Sequence, residues 1–385
     1  MKIAFFANSD FNIVTYRMGL IKEAKARGFE VFAVAPITNQ FFVSEIENQG
    51  IVFIPVNIAR GVGSPFNNFR YIGQVIKICR KHKFDLCHNF TPKCNTLGTM
   101  AQKIAGVKKI ICSITGLGYV YVNKNIKVRI LKIISNLLYF KSFILANKVI
   151  FQNEDDRNYF IKKHLLNHKK AELILSSGVD LNSFSPDKID ELKIAKIIEE
   201  IGRAKNDVVF AFVGRLLWPK GILEFVEAGK ILKQKYGNIK IVLIGVVDKE
   251  NPEAIQGQDI KKWEKEGSVV YLGERRDIKD ILAVIDVFVY PSYYREGVPR
   301  ALLEAGAMAK PLVAAYNVGS KEVVVDGING FLVGPRNVEE LADKMEKLIN
   351  NKDLRNKFGK AAREKIEKEF DEKDVNNRII TLYGG

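Results

Sequence analysis

VFVYPSYYREGVPRALLEAGAMAKPLVAA, residues 287–315, holds two apolar runs around a helical pattern. VFVYP (287–291) and PLVAA (311–315) are too short for helices and almost free of polar residues. That is how strands buried on both faces read. Between them, Ala301, Leu302, Leu303 and Ala305 have the spacing of a buried helix. Pro299 is its natural first residue, because the first turn leaves backbone amides unpaired and proline has none to lose. Strand, helix, strand in this order is the unit of a parallel α/β sheet.

The same alternation extends in both directions. KIAFFA (2–7), VFAVAP (31–36), IVFIPV (51–56), LCHNF (86–90), KIICSIT (109–115) and KVIFQN (148–153) alternate with helical patterns such as YRMGLIKEAKARG (16–28), which Gly28 stops. VVFAFVG (208–214), IKIVLIG (239–245) and VVYLG (269–273) continue the series toward residue 287. At 385 residues the chain exceeds what one core usually supports. Two Rossmann-like domains with parallel sheets facing across a cleft are expected, with ligands at the carboxyl ends of the strands. The turn-rich stretch SSGVDLNSFSP (176–186) and the charged helix at 192–205 put the divide near 190. The expected domains are 1–190 and 191–365, with a C-terminal helix over 366–385 placed to cross back to the first.

Charge separates the halves more sharply than hydrophobicity does. Residues 1–180 hold 26 Lys and Arg against 11 Asp and Glu, whereas residues 181–385 hold 34 against 33. Within 51–150 there are 16 basic side chains and one acidic one, Asp85. A polyanionic neighbour for the first half alone follows: an anionic membrane, a phosphorylated substrate or nucleic acid. IKVRILKIISNLLYFKSFIL (126–145) is broken by charges too often to span a bilayer. On a helix, Ile126, Ile130, Ile133, Ile134, Leu137 and Phe140 share one face, with Lys127, Arg129 and Lys132 off it, the pattern of an interfacial helix. Cys79, Cys87, Cys94 and Cys112 form no C-x-x-C pair, and no cleavable apolar leader precedes MKIAFF. Reduced thiols in a cytoplasmic protein are expected.

Two constellations carry chemistry. In VGRLLWPKGILEF (213–225), Gly214 allows a tight turn after a strand, and Arg215 and Lys220 follow on a loop and helix start. A forked and a point-like cation there suit a diphosphate. In the opening stretch, the amides of Gly297, Val298 and Arg300 favour an anion at the helix start, while Glu296 and Glu304 flank it. Glu304 stands about 7.5 Å along the axis beyond Pro299. A carboxylate repels a diphosphate but accepts the protons of a diol, so the order sugar, diphosphate, ribose fits. Leu302, Leu303 and Met308 surround Glu304, where a charge without a function or a partner is costly.

The stretch E296-G-V-P-R-A-L-L-E304 resembles the E-x7-E motif of glycosyltransferase family 4, the retaining nucleotide-sugar enzymes of GT-B fold. F151-Q-N-E-D-D-R157, S176-S-G-V-D-L-N-S-F-S-P186, G214-R215 with K220-G221, and D326-G-I-N-G-F-L-V333 are similar to the subgroup that builds capsules, O-antigens and bacterial N-glycans. R60-G-V-G-S-P-F66 and T91-P-K93 extend the resemblance over almost the whole chain. It implies transfer of a hexose or N-acetylhexosamine, N-acetylgalactosamine first among them, from a UDP-sugar to a polyprenyl-diphosphate-linked saccharide. Carried over, Arg215 and Lys220 hold the donor diphosphate with Gly214 and the 297–300 backbone. Glu304 takes the ribose and Glu296 the transferred sugar, and Gly273 and Arg276 lie in the nucleobase segment. The loop N8-S-D-F-N-I-V-T-Y-R17 departs from the family with Asn12 at a usual glycine place, and SIT115GLG has Thr115 where many relatives have His. Arg17 and Lys93 are the candidates for acceptor phosphates, beside Asn12 and Thr115.

No nucleophilic carboxylate is placed for a covalent intermediate, so a front-face retaining mechanism is expected. The scattered His82, His88, His164 and His168 and the acidic run at 154–156 leave no metal site in view, and no cofactor is expected. Two rivals differ in kind. A UDP-sugar epimerase of the same fold needs acid and base carboxylates at the cleft. A basic nucleic-acid-binding protein needs a module with interleaved aromatics, which the basic half lacks. The remaining partner expectation is an anionic surface at the inner face of the cell membrane; nothing in the sequence speaks to oligomeric state.

Overall fold

The computed structural model describes residues 1–59, 64–118, 121, 126–248, 251 and 253–384, with the backbone alone at Lys127. The chain forms two compact units, Met1–Ser177 with Glu372–Gly385, and Gly178–Asp371. The 60–63 part of the RGVGSPF motif lies outside the described residues.

In the first unit, strands β1 (Lys2–Phe6), β2 (Glu30–Ala35), β3 (Val52–Pro55), β4 (Leu86–Phe90), β5 (Lys109–Ile114), β6 (Lys148–Phe151) and β7 (Ala171–Leu173) make one parallel sheet ordered β3-β2-β1-β4-β5-β6-β7. Alternate residues of a strand face opposite ways. Thus Ala4 and Phe6 join one apolar core with Tyr71, Cys87 and Phe143. Ile3, Phe5 and Ala7 join another with Leu86, Phe90 and Tyr383. Each large apolar side chain so buried stabilises the fold by about 1.5–3 kcal/mol. Burial on both faces is why these strands read as unbroken apolar runs.

Several buried polar groups in this unit are paired. His88 sets Nδ1 2.6 Å from the Tyr383 hydroxyl and Nε2 2.8 Å from Ser113 Oγ. Burial, helped by the Arg17 cation, lowers its pKa well below the ordinary histidine value. All four cysteines are free and buried. Burial pushes the Cys94 thiol up to about 11 and Cys112 up to about 12, so neither is a thiolate at neutral pH. FQNEDDR is a capped helix start: Asn153 accepts the Asp156 amide at 2.7 Å and donates to its carboxylate at 3.0 Å.

The second unit carries β8 (Val208–Val213), β9 (Ile239–Ile244), β10 (Val270–Tyr271), β11 (Val287–Tyr290), β12 (Leu312–Ala315) and β13 (Gly330–Val333), in the order β10-β9-β8-β11-β12-β13. In both sheets the chain winds one way from its first strand, then returns and winds the other way. The switch points fall between β1 and β4 and between β8 and β11, where helices leave in opposite directions and open a crevice at the carboxyl edge.

Three expectations need correction. VVYLG contributes only Val270–Tyr271 to the sheet, because Gly273 has a φ of +69° that turns the backbone out. The divide lies at 177–178, not 190–191. The Val179 amide bonds the Phe370 carbonyl at 3.0 Å, tying the segment after 178 to the second unit. The chain's end is two helices, Lys352–Glu369 and Glu372–Gly384, not one over 366–385. The second of these buries Val375, Ile379, Ile380 and Tyr383 in a core of the first unit.

Candidate active site

The crevice between β8 and β11 gathers the second unit's chemistry. After β8 the chain makes a short turn, Trp218–Lys220, ended by Gly221. After β11 it runs through Ser292 and Glu296 to the Arg300–Ala307 helix. The Tyr293 amide bonds the Pro219 carbonyl at 3.0 Å and stitches the two loops together. Across this stitch, Lys220 Nζ meets both Glu296 oxygens at 2.6 and 2.7 Å. Tyr290 donates its hydroxyl to Glu296 Oε1 at 2.7 Å, and Ser292 Oγ approaches the same oxygen at 3.2 Å. Lys220 Nζ also bonds the Tyr290 hydroxyl and lies 5.0 Å above that ring. With 5% of Lys220 exposed, burial pulls its pKa below the ordinary lysine value, and the Glu296 carboxylate offsets part of that. The result is a buried ammonium with a partly exposed counter-ion.

Gly221 shows how tightly this turn is placed. Its φ is +76°, and a Cβ there would stand 2.2 Å from the Pro291 carbonyl oxygen. Gly221→Ala is expected to cost more than about 1–2 kcal/mol, since the left-handed backbone alone costs that much. Turnover should fall with it, because Lys220 or Pro291 must move. Urea unfolding beside a kinetic assay checks both.

The helix start has the open amides expected of an anion seat, with one revision. Pro299 is the N-cap, with ψ of 120°, and the first helical residue is Arg300. Proline's fixed φ suits either place, but the extended ψ keeps it outside the helix. Among the described residues, the amides of Gly297 and Val298 have no acceptor. The loop is held from behind by Asn317, whose side chain donates to the carbonyls of Ser292 and Tyr294 at 3.2 and 2.6 Å. Gly319 packs so closely that a Cβ would lie 1.9 Å from the Gly297 oxygen. Glu304 pairs with the Arg300 side chain one turn back, Nε to Oε1 at 2.8 Å. Burial raises the Glu304 pKa and Arg300 restrains the rise.

Around this centre the other second-unit residues fall into place unevenly. Arg215 is half exposed and reaches Asp248 at 3.5 Å, a loose pair that leaves its fork available. Gly214, Gly245 and Gly273 stack at neighbouring strand ends. A Cβ on Gly245 would sit 1.8 Å from the Gly214 oxygen, and the Gly245 amide bonds the Gly273 carbonyl at 2.8 Å. Arg276 is exposed, whereas Arg275 is held by Glu200 and Asp277 in structural pairs. Tyr290, Ser292, Asp248 and Asn317 were not singled out from the sequence. Only their position at or just past a strand end distinguishes them.

The first unit's candidates follow the carboxyl ends of β1, β4 and β5. The Asn12 backbone amide donates to Ser9 Oγ at 3.1 Å, while the buried side-chain Oδ1 of Asn12 has no donor among the described residues. Arg17 is buried with its guanidinium 4.2 Å over the Phe90 ring, at the end of β4. Thr91 follows with a φ of +74°, strained for a β-branched residue. Lys93 is tied to the Ala59 carbonyl at 2.7 Å and to Asn68 at 3.2 Å, and burial lowers its pKa. Thr115 is partly buried just beyond β5. Beside this crevice, Asp10 is a fully buried carboxylate that accepts the amides of Phe11 and Thr38, each at 2.7 Å, and of Asn39 at 3.0 Å. These bonds brace the loop.

Comparison with known proteins identifies the family. Residues 2–153 match the family described as glycosyl transferase 4-like, and residues 193–365 match glycosyl transferases group 1. Over its whole length the chain is 30% identical to the N,N'-diacetylbacillosaminyl-diphospho-undecaprenol alpha-1,3-N-acetylgalactosaminyltransferase of Campylobacter jejuni, covering 98% of that protein. It is 27% identical to the UDP-Gal:alpha-D-GlcNAc-diphosphoundecaprenol alpha-1,3-galactosyltransferase of Escherichia coli, over 86% of this chain and 82% of the other. In fold it resembles Anabaena HepE, solved with UDP and glucose, with a TM-score of 0.79 at 23% identity and complete coverage of both chains. The chain belongs to the family 4, group 1 glycosyltransferases of GT-B fold.

Proposed function

We propose that the protein moves a hexose or N-acetylhexosamine, N-acetylgalactosamine first, from a UDP-sugar to a saccharide carried on undecaprenyl diphosphate. The observation that carries this is the Lys220–Glu296 pair at the β8/β11 switch point, beside the open amides of Gly297 and Val298. The names of the Campylobacter and Escherichia relatives supply the acceptor class and the first choice of sugar. Lys220, Arg215 and the two amides face the donor diphosphate, and Glu304 accepts the ribose hydroxyls. Glu296 orients the transferred sugar. Gly273 and Arg276 border the base, and Asn12, Arg17, Lys93 and Thr115 serve the acceptor side.

The reaction breaks the bond between the anomeric carbon and the β-phosphate oxygen, whose electron pair leaves with UDP. The acceptor hydroxyl oxygen bonds the same face of that carbon, and its proton passes to the departing phosphate. Cations and amides around the diphosphate stabilise the leaving charge while the sugar gains oxocarbenium character. They perform the work that a metal ion does elsewhere, so we place no metal in the mechanism. An enzyme with a nucleotide-sugar donor and a bilayer-held acceptor works at the cytoplasmic face of the membrane.

The test is a transfer assay with the full chain, a panel of UDP- and GDP-sugars and a short-chain polyprenyl-diphosphate saccharide. UDP release and a lengthened glycan with retained anomeric configuration, unaffected by chelator, are expected. Failure of every nucleotide sugar to stabilise the protein or to support transfer sinks the reading.

A further inference from the structure

We propose that a cavity of about 560 Å³ at the amino edge of the second sheet binds a small polyol phosphate, at a site separate from the donor crevice. The inference goes beyond the transfer reaction and does not rest on it. Ile285 and Asp286 precede β11 and Pro311 precedes β12, so the cavity lies at the edge opposite the carboxyl ends that carry Lys220 and Glu296. Its facing wall is the Lys352–Glu369 helix, and all of its lining belongs to the second unit. The volume lies in the range of small-molecule sites and has room for a phosphate with an organic body.

Lys310 gives the cavity its need for an anion. Burial pulls its pKa down to about 8, a shift that the Asp286 carboxylate opposes and the Arg203 cation reinforces. An ammonium has three protons to donate. Among the described residues only the Ala283 carbonyl accepts one, at 3.2 Å. Asp286 is already taken, by Arg203 and by the Val209 amide, each at 2.8 Å. The chain just before Lys310 is firmly placed. Ala309 has a φ of +53°, left-handed for an alanine, and a Cβ on Gly359 would lie 2.2 Å from its carbonyl oxygen. An ammonium held this way gains from an anion brought to it, through charge-assisted hydrogen bonds.

The facing helix grades its charge along its length. Lys352 and Arg355 stand at its first turn, where the helix dipole also favours an anion. Lys352 is exposed and has no acceptor among the described residues. Arg355 gives one nitrogen to the Leu348 and Ile349 carbonyls and keeps the rest of its fork. Further along, Lys360 stands 3.9 Å from Glu364, too loose a pair to occupy either. Arg363 and Glu367 pair closely, at 2.5 Å. The phosphate belongs between Lys310 and the cationic start of the helix. Glu364 lines the other end, about 13.5 Å along the axis from Arg355, and accepts the hydroxyl protons of the polyol.

Calorimetric titration of glucose 6-phosphate into the full chain, with excess UDP to fill the donor seat, tests the proposal. One binding event beyond that of UDP is expected. Lys310→Met should weaken it by about tenfold or more, the loss of a charge-assisted hydrogen bond. The variant should fold, since Asp286 keeps Arg203 and the Val209 amide. Lys352→Ser with Lys360→Ser should weaken binding by about threefold, as exposed charges do, and leaves Lys310 in place. Both variants should keep the wild-type thermal shift with UDP; its absence from the wild type as well marks failure of the donor reading, not of this site. Inorganic phosphate should compete for the event and bind more weakly, and equal affinity overturns the polyol. No binding of either probe, or equal binding by wild type and Lys310→Met, overturns the site. So does an oligonucleotide that binds where the ester does not and that Lys352→Ser with Lys360→Ser releases, because the face would then belong to a polyanion.

Discussion

Lys220→Met is expected to lower kcat/KM by about a thousandfold, the cost of removing one preorganised charge from a developing anion in a dry site. Lys220 is the only described cation that is both buried in the β8/β11 crevice and bonded to Glu296. Without it the Glu296 carboxylate keeps the Tyr290 and Ser292 hydroxyls but loses its counter-ion. Stability should fall by less than the 3–5 kcal/mol typical of a broken buried pair, because 23% of the Glu296 side chain is exposed.

A double variant separates the two effects. Lys220→Met with Glu296→Gln removes both charges, so most of the lost stability should return in a urea titration while activity stays down. Glu296→Gln alone should leave UDP affinity near wild type and reduce kcat, since in the proposed reaction its carboxylate addresses the sugar. Lys220→Arg should not rescue turnover, because the site between the Tyr290 and Tyr294 rings fits a compact ammonium and not a planar fork. Wild-type kcat/KM in Lys220→Met would remove Lys220 from the site.

The sequence states the fold through strands buried on both faces, and it states the donor motif through two glutamates around a helix start. It does not state their partners. Lys220 and Glu296 are 76 positions apart, and only the adjacency of β8 and β11 brings them together. The reading of Glu296 as a free hydroxyl acceptor therefore missed its ion pair. Arg300 and Glu304 were legible, being four apart on a helix, yet Arg300 drew notice only for its amide. The divide was misplaced because a turn-rich stretch resembles a linker, and the Val179–Phe370 bond that claims it spans most of the second unit. Residues 126–145 show the same limit differently. Their apolar line was visible, but an apolar line ordinarily faces a core. Only the packing of Tyr139 and Phe143 against the sheet shows that it faces out.

Glu304→Gln is expected to weaken UDP binding by about 10- to 100-fold, the value of one charge-assisted hydrogen-bond set to the ribose. Turnover at saturating donor should change little, because the proposed arrangement sets Glu304 at the ribose and away from the reacting carbon. The apoprotein should not suffer at neutral pH. Burial raises the Glu304 pKa in the folded state, with Arg300 restraining the rise, so ionising it opposes folding. That cost is present above the raised value and disappears as the pH falls through it, the reverse of an ordinary paired carboxylate. A neutral glutamine avoids the cost, although it gives up the 2.8 Å pair with Arg300. In the wild type, UDP affinity should drop as acid protonates Glu304, starting above the ordinary carboxylate range. In Glu304→Gln that part of the pH dependence should be flat. Calorimetric titration of UDP across pH measures both curves. Wild-type affinity in the variant, or an unchanged pH profile, would place the ribose elsewhere.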